Sequence, residues 1–394
     1  MHHSHSFVDW YHVMEIKNLK KAANRILKAI KEKERIILYG DADLDGVSAT
    51  ILLKEAIKNL AGSITAVYFP DREKDGYGIT KNGLHSFEKM APALLIALDL
   101  GITNFEEISL AKKLGFEVIV IDHHEILDRL PEAEIIVDPK QKGDKSSLEY
   151  LANVGIVYKL SEVLFSGKMS QELKQNFLEL VALGTIADFM PRQDENEIMI
   201  LEGLKSIHNS WRPGIKVFFL EKVFPNHQNI FQKVSKINSL LNIRDVENQL
   251  PASFRLLTSS SLEGAKKILD NLIEKSFERK RKIEEIKEEI ERRISEKDPL
   301  IFEGDSSWEL ILLGSVASTF SQKYQKPVFL FKKGEKESQG TARTAKDFDL
   351  VRAMKSCAVL LESYGGHAPA AGFRIKNENL VRFRECLVKH FKNL

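Results

Sequence analysis

Three short stretches of the chain concentrate side chains that titrate or ligate: Asp41-Ala42-Asp43-Leu44-Asp45-Gly46, Asp99-Leu100-Gly101 and Asp122-His123-His124. Alternate residues of an extended chain face the same way, so Asp41, Asp43 and Asp45 are expected to point into one cavity. Carboxylates crowded together repel and retain protons unless a cation neutralises them. Carboxylate oxygens joined by imidazole suit manganese, magnesium or iron better than a thiolate-bound zinc site. With this many acidic groups two ions are expected, and paired ions clamp the attacking and leaving oxygens of an in-line phosphoryl displacement. Calcium is rejected: the twelfth position of an EF-hand loop opened by Asp41 is Leu52 rather than Glu. Taken singly, Asp99 and Asp122 could cap helices and the His-His pair could be incidental.

These stretches become meaningful through the elements that carry them. Short β-branched runs read as strands at Arg35–Tyr39, Ile64–Phe69, Ala93–Leu98, Glu117–Ile121 and Glu134–Val137. Helical patterns lie at Ile16–Ile30, Val47–Leu60, Thr80–Met90, Phe105–Leu114, Ser146–Leu164 and Gln171–Ile186. Such alternation implies right-handed βαβ units and a mostly parallel sheet, an α/β fold. Ligands of an open parallel sheet bind at the carboxyl ends of its strands, and the first, third and fourth expected strands end in the three acidic stretches.

At 394 residues the chain is too long for one ordinary core. The opening Met1-His2-His3-Ser4-His5-Ser6 resembles a tag or tail, and its histidines stay outside the metal argument. The expected division is a tail over 1–13, a catalytic domain over 14–210, a connecting region over 211–297 and a smaller α/β domain over 298–394. Trp211-Arg212-Pro213-Gly214 is a breaker cluster at the first edge. Ser261–Lys297, dense in opposite charges at i and i+4, reads as a solvated connecting helix. Beyond it, strands are expected near Leu310–Leu313 and Val328–Phe331, followed by a glycine-rich finish.

Formal net charge is +2 and no long Lys/Arg block exists, so any phosphate-binding surface must be local and shaped. Two cysteines, Cys357 and Cys386, cannot build a disulfide framework or a four-ligand zinc site, and a reducing cytoplasm is the expected compartment. No apolar run approaches the roughly 20 residues of a membrane span, and no membrane partner is expected.

In this order the motifs resemble the DHH phosphoesterase family, named for its Asp-His-His motif. Gly184-Thr185-Ile186-Ala187-Asp188-Phe189-Met190-Pro191 looks like the family's fourth motif. An aspartate at a helix C-terminus is electrostatically unfavourable and itself calls for a cation. Within the family the RecJ branch fits best. Pro70-Asp71-Arg72 and Gly76-Tyr77-Gly78 look like its phosphate-meeting loop. Gly340-Thr341-Ala342-Arg343-Thr344 and Gly365-Gly366-His367-Ala368-Pro369-Ala370-Ala371-Gly372-Phe373 resemble the signatures of the DHH-associated domain.

The resemblance implies that Asp41, Asp43, Asp45, Asp99, His123 and Asp188 surround two manganese ions, with magnesium a possible substitute and Asp99 the bridge. His124 is then a phosphate contact or an extra ligand. Arg72, Tyr77, Arg343, Gly365, Gly366 and His367 are expected to hold substrate. The implied activity is single-strand exonuclease action, from a 5′ end, with single-stranded nucleic acid and replication or repair proteins as partners. Hydrolysis of short oligoribonucleotides or cyclic dinucleotides, or a nuclease-dead scaffold role, are the alternatives. The branch's Trp-His pair is Trp308-Glu309 here, and its Ile-Asn-Ala-x-Gly-Arg stretch is altered to Ile237–Arg244, leaving the roles of Asn238 and Arg244 open. The resemblance is to compact members without an OB-fold, such as the archaeal nuclease associated with the GINS complex.

Overall fold

A computed structural model describes residues 15–71, 76–127, 129–220, 223–224, 229–295, 298–345 and 348–392. The tail expected over 1–13 lies outside the described residues. The chain forms two compact units, one up to Ile273 and one from Glu274 onward. In chain order the first unit contains α1 (Leu19–Glu32), β1 (Ile36–Gly40), α2 (Leu44–Asn59), β2 (Ala66–Tyr68), α3 (Lys81–Ser86), β3 (Ala93–Leu98), α4 (Phe105–Lys113), β4 (Phe116–Ile121) and β5 (Ile135–Val137). These strands pair in the order β2-β1-β3-β4-β5, every neighbour parallel. The sheet is buried on both sides, which explains why its strands read as unbroken apolar runs. Ile36, Leu38, Leu94 and Ile96 face one core, whereas Ile37, Tyr39, Leu95 and Ala97 face a second core with Leu84 and Ile108. Period-two alternation thus sorts each strand between two helical layers.

Further helices complete the first layer: α5 (Asn153–Leu164), α6 (Gln171–Ala187), α7 (Asp194–Ser206), α8 (Pro213–Leu220), α9 (Ile230–Leu241) and α10 (Ala252–Leu257), with a two-residue-per-strand ribbon, β6 (Val246–Glu247) and β7 (Leu250–Pro251). The breaker cluster at 211–214 hides a structural cation. Buried Arg212 donates to both carboxylate oxygens of Glu55 at 2.8 Å and to Asn176 Oδ1 at 2.9 Å. It ties α2 to α6, the two helices that bring Asp45 and Asp188 to the sheet.

The long helix α11 (Leu262–Arg293) carries Ala265, Leu269 and Leu272 in the core of the first unit, and Ile286 and Ile290 in a core of the second. The second unit then contains β8 (Ile301–Asp305), α12 (Leu310–Tyr324), β9 (Val328–Lys333), β10 (Glu337–Arg343), α13 (Leu350–Ser356), β11 (Leu361–His367), β12 (Ala370–Lys376) and α14 (Leu380–Lys392). Its sheet runs β11-β12-β10-β9-β8, antiparallel except for the β8–β9 pair. Phe329, Phe331, Ala342, Ala371 and Phe373 pack against α13 and α14, while Val328 and Leu330 meet α12.

Four expectations need correction. Leu310–Leu313 is the first turn of a helix, not a strand: Leu312, Leu313, Val316, Ala317 and Phe320 are buried at helical spacing, and the strand is Ile301–Asp305. A short apolar run does not reveal its period. The helix expected from Ser146 begins at Asn153. Asp41, Asp43 and Asp45 do not share an extended segment, because α2 starts at Leu44 and Asp43 is its N-cap, accepting from Gly46 N at 3.0 Å. Finally, Cys357 and Cys386 are joined by a disulfide, which links the end of α13 to α14. No helix among the described residues is long and apolar enough to cross a membrane.

Candidate metal centre

The backbone ladder places the acids. Asp41 N donates to Leu98 O, Asp99 N to Ile121 O and Asp122 N to Val137 O, each at 3.0 Å. Each acidic residue therefore extends its strand by one more rung, and all three stand in a row at the carboxyl edge. In a sheet of order 2-1-3-4-5 the crevice opens between β1 and β3, where the strand order reverses. Asp41 and Asp99 follow those two strands. Asp99 adopts φ 64°, an uncommon left-handed conformation for a non-glycine residue and a form of strain that clusters at functional sites.

The helices supply the rest. Asp45, in the first turn of α2, is held by two amides at the start of α5: Asn153 N at 2.7 Å and Val154 N at 2.9 Å. Its approach requires Gly184 in α6, where an added Cβ would lie 3.1 Å from Asp45 Oδ1 and 2.8 Å from Val154. Asp188 caps the C-terminus of α6. His123 Nε2 lies 3.1 Å from Asp99 Oδ1, 3.6 Å from Asp188 Oδ2 and 3.8 Å from Asp45 Oδ2. Three overlapping groups result, Asp41-Asp43-Asp99, Asp45-His123-Asp188 and Asp99-His123-His124, each with ligand atoms within 4.8 Å of one another. All six residues expected to hold metal are brought together, and His124 joins them.

The electrostatics are those of a site missing positive charge. Burial pushes Asp99 well above the carboxylate range, aided by Asp43, Asp45 and Asp41. Burial likewise raises Asp45, with Asp188 and Asp43 adding to it. Asp188 is pushed up to about 6 by burial and by Asp43. Burial lowers His123 to about 4, so its imidazole is neutral and can ligate. Among the described residues Asp99 Oδ1 and both ring nitrogens of His123 are buried with no hydrogen-bond partner. Buried polar atoms are normally satisfied. Orphaned donor atoms converging at this spacing fit divalent cations, with Asp99 shared between two groups.

His124 differs from its neighbour. Its ring is half exposed, and Nδ1 stands 2.7 Å from Asp122 Oδ1. The hydrogen bond to Asp122 raises it to about 9. Asp122 is fully buried, yet the His124 contact and the Ile102 amide hold it below its usual range despite burial. Asp122 is thus an orienting group outside the three ligand clusters.

Two residues escaped the sequence reading. Asn153, with its amide oriented to suit its neighbours, donates to Ile121 O at 3.0 Å and accepts from Asp99 N at 2.8 Å, bracing the bend at Asp99. Asp138, buried one residue past β5, is pushed up to about 7 by burial. Its position at a fourth strand end was the available signal. Asn153 gave none, being one polar residue at a helix start.

The description "DHH family, N-terminal domain" matches residues 35–185, and "DHHA1 domain" matches 297–393. The chain carries DHH and DHHA1 domains. The single-stranded-DNA-specific exonuclease RecJ of Bacillus subtilis (strain 168) is 31% identical over 389 residues, 96% of this chain and 48% of that protein. The chain therefore spans about half the length of this relative. A crystal structure of exonuclease RecJ bound to manganese superimposes with a TM-score of 0.82 at 25% identity, covering 97% of this chain and 96% of that one. The manganese complex of RecJ from Thermus thermophilus shares the fold, with a TM-score of 0.80 at 24% identity over 97% of this chain and 56% of that one.

The remaining expected site residues are distributed as follows. Tyr77 is exposed between Gly76 and Gly78, both at positive φ. Arg72 lies outside the described residues. Its neighbour Asp71 accepts from Arg244 Nη2 at 2.7 Å, which gives Arg244 a place beside that loop. Asn238 is buried and donates to Leu183 O at 3.1 Å, an anchor for α6. In the DHHA1 unit, Arg343 ends β10, and Gly365, Gly366 and His367 end β11. Arg343 Nη1 donates to Thr341 Oγ1 at 2.6 Å and to Ala342 O at 2.8 Å. Gly366 has φ 130°, and a Cβ there would lie 2.5 Å from Ala370 O. Only glycine fits that position.

Proposed function

We propose that this chain is a metal-dependent phosphodiesterase acting as a RecJ-like exonuclease on single-stranded DNA, from the 5′ end. The observation that carries this reading is the convergence of Asp41, Asp43, Asp45, Asp99, His123 and Asp188 at the strand ends, with Asp99 Oδ1 and both ring nitrogens of His123 buried and making no hydrogen bond. Asp41, Asp43 and Asp99 would hold one ion, and Asp45, His123 and Asp188 the other, with Asp99 in reach of both. When bound, two manganese ions, or magnesium in their place, supply Lewis-acid charge to water and to the phosphate oxygens. The chain's own residues do the positioning. His124, oriented by Asp122 and half exposed, meets a non-bridging phosphate oxygen. Asn153 and the start of α5 fix Asp99 and Asp45 so that the ligand spacing is set before substrate arrives. Arg343 offers a fork of donors to a phosphate, with His367 in the same row of the sheet beyond Ala370. In the first unit, Arg72 and Tyr77 are the residues proposed to contact the strand.

Replication or repair proteins are the partners, and the cytoplasm the compartment, that accord with this reading. A time course on end-labelled single-stranded DNA and RNA of one sequence, with manganese and with chelator, tests it. The expected result is stepwise shortening of the DNA from its 5′ end with manganese only. Cleavage of dinucleotides alone would reject the exonuclease reading in favour of a short-oligonucleotide phosphodiesterase.

A further inference from the structure

One face of the DHHA1 sheet is covered by α13 and α14, and on the other α12 packs over β9 and β10, half-burying Thr341 and Arg343. Along its edge and beyond it, the outward positions of β10, β12 and β11 form successive rows. The first row is Arg343, Ala370 and His367; the second is Thr341, Gly372 and Gly365; the third is Gln339, Arg374 and Ser363. The third row lies four residues from the first along β10, roughly 13 Å away at the rise of an antiparallel strand.

A depression of ≈ 270 Å³ sits at this far row, lined by Gln339, Ser363, Tyr364 and Arg374 over a floor that includes Gly365 and Gly372. Its volume falls a little below the roughly 300–1,000 Å³ of pockets for drug-sized molecules, a size suited to a fragment such as one sugar-phosphate. Gln339, Ser363 and Arg374 are exposed. Among the described residues none of these three side chains has a hydrogen bond or ion pair. The neighbouring acid, Glu362, is engaged by Lys376 at 3.7 Å, which leaves Arg374 uncompensated. The floor is open: a Cβ built at Gly365 meets nothing within 4 Å, and one at Gly372 reaches only Gly340 O at 3.7 Å.

We propose that this depression is a second anion subsite, binding an internal phosphodiester of a single strand whose terminal phosphate lies at Arg343 and His367. This rests on the exonuclease reading and extends it. Arg374 supplies the charge-assisted fork, and Gln339 and Ser363 supply neutral hydrogen bonds. The bare glycine floor lets the sugar-phosphate backbone lie close to the sheet. A dinucleotide held at the first row does not span the distance to the third, so the subsite makes affinity depend on strand length.

The test compares the full chain with Arg374→Ala and Gln339→Ala. The Kd for a twelve-residue oligodeoxynucleotide and for a dinucleotide would be measured in chelator, without turnover, at several salt concentrations. Arg374→Ala is expected to weaken binding of the long strand about tenfold relative to the dinucleotide and to flatten its salt slope by about 0.7. Gln339→Ala is expected to show a smaller change with the slope retained. An unchanged ratio of the two affinities, or an unchanged slope, would overturn the subsite. Wild-type protein that binds the long strand with the expected length dependence but never hydrolyses it would refute the exonuclease reading while leaving the subsite standing.

Discussion

The carboxyl edge of the parallel sheet and the open face of the DHHA1 sheet are both built on strands, yet they treat charge in opposite ways. At the first, acidic groups are buried and crowded, so that Asp45 and Asp99 are driven above their normal range even though two backbone amides pull Asp45 the other way. At the second, Arg374 and His367 are exposed and Arg343 is half-buried, with glycines between them. A buried cluster of like charge is unstable until a small cation arrives, and its geometry must be fixed in advance. An exposed guanidinium over a smooth glycine floor suits a long, flexible polyanion. On the proposed reading, the two regions divide chemistry from grip.

Removing a ligand should have the largest effect. His123→Ala or Asp99→Asn is expected to lower hydrolysis on the order of 10³-fold while circular dichroism stays native. The metal-free Asp99→Asn protein should melt no lower than wild type, because a repelling buried carboxylate is gone. A variant that retains full activity would break the contrast at its acidic end.

Exchanging the ion should matter next. Manganese is expected to support rates about tenfold above magnesium, and calcium none, because an imidazole among carboxylates favours the transition ion. Titrating each ion into chelator-cleared protein measures this, and equal plateaus for manganese and magnesium would remove His123 from the ligand set.

At the cationic end, Arg343→Ala should raise KM for single-stranded DNA about tenfold and reduce the salt slope of binding by about 0.7. A lower melting temperature with an unchanged slope would show that Arg343 only packs against Gly314 and Thr341.

The smallest effect sharpens the acidic end. Asp43 both belongs to a ligand group and caps α2. Asp43→Asn should lose activity but keep the cap, whereas Asp43→Ala should also lose about 1 kcal/mol of stability. Urea unfolding of the two variants separates the roles.

Much of the acidic site was legible because strand ends and motif spacing coincide at Asp41, Asp99 and Asp122, and position at a strand end is a consequence of the sheet itself. What was hidden depended on three-dimensional bracing. The amides of Asn153 and Val154 reach Asp45 across more than a hundred residues, and buried Arg212 looked like part of a loop. The start of α2 was also misjudged: Asp43 followed by Leu44 and Asp45 alternates like a strand, yet capping by Asp43 turns the chain into a helix. In the DHHA1 unit, Leu310–Leu313 is too short a run to declare its period, and the glycine-rich finish hid the strands β10, β11 and β12 that it forms.

The most direct test is calorimetric titration of manganese into chelator-cleared wild type and Asp99→Asn, with hydrolysis of end-labelled single-stranded DNA followed on the same samples. The account predicts two bound equivalents in wild type, loss of at least one in the variant, and activity that appears only as the sites fill. Undiminished hydrolysis in chelator, or equal manganese binding by both proteins, would contradict it.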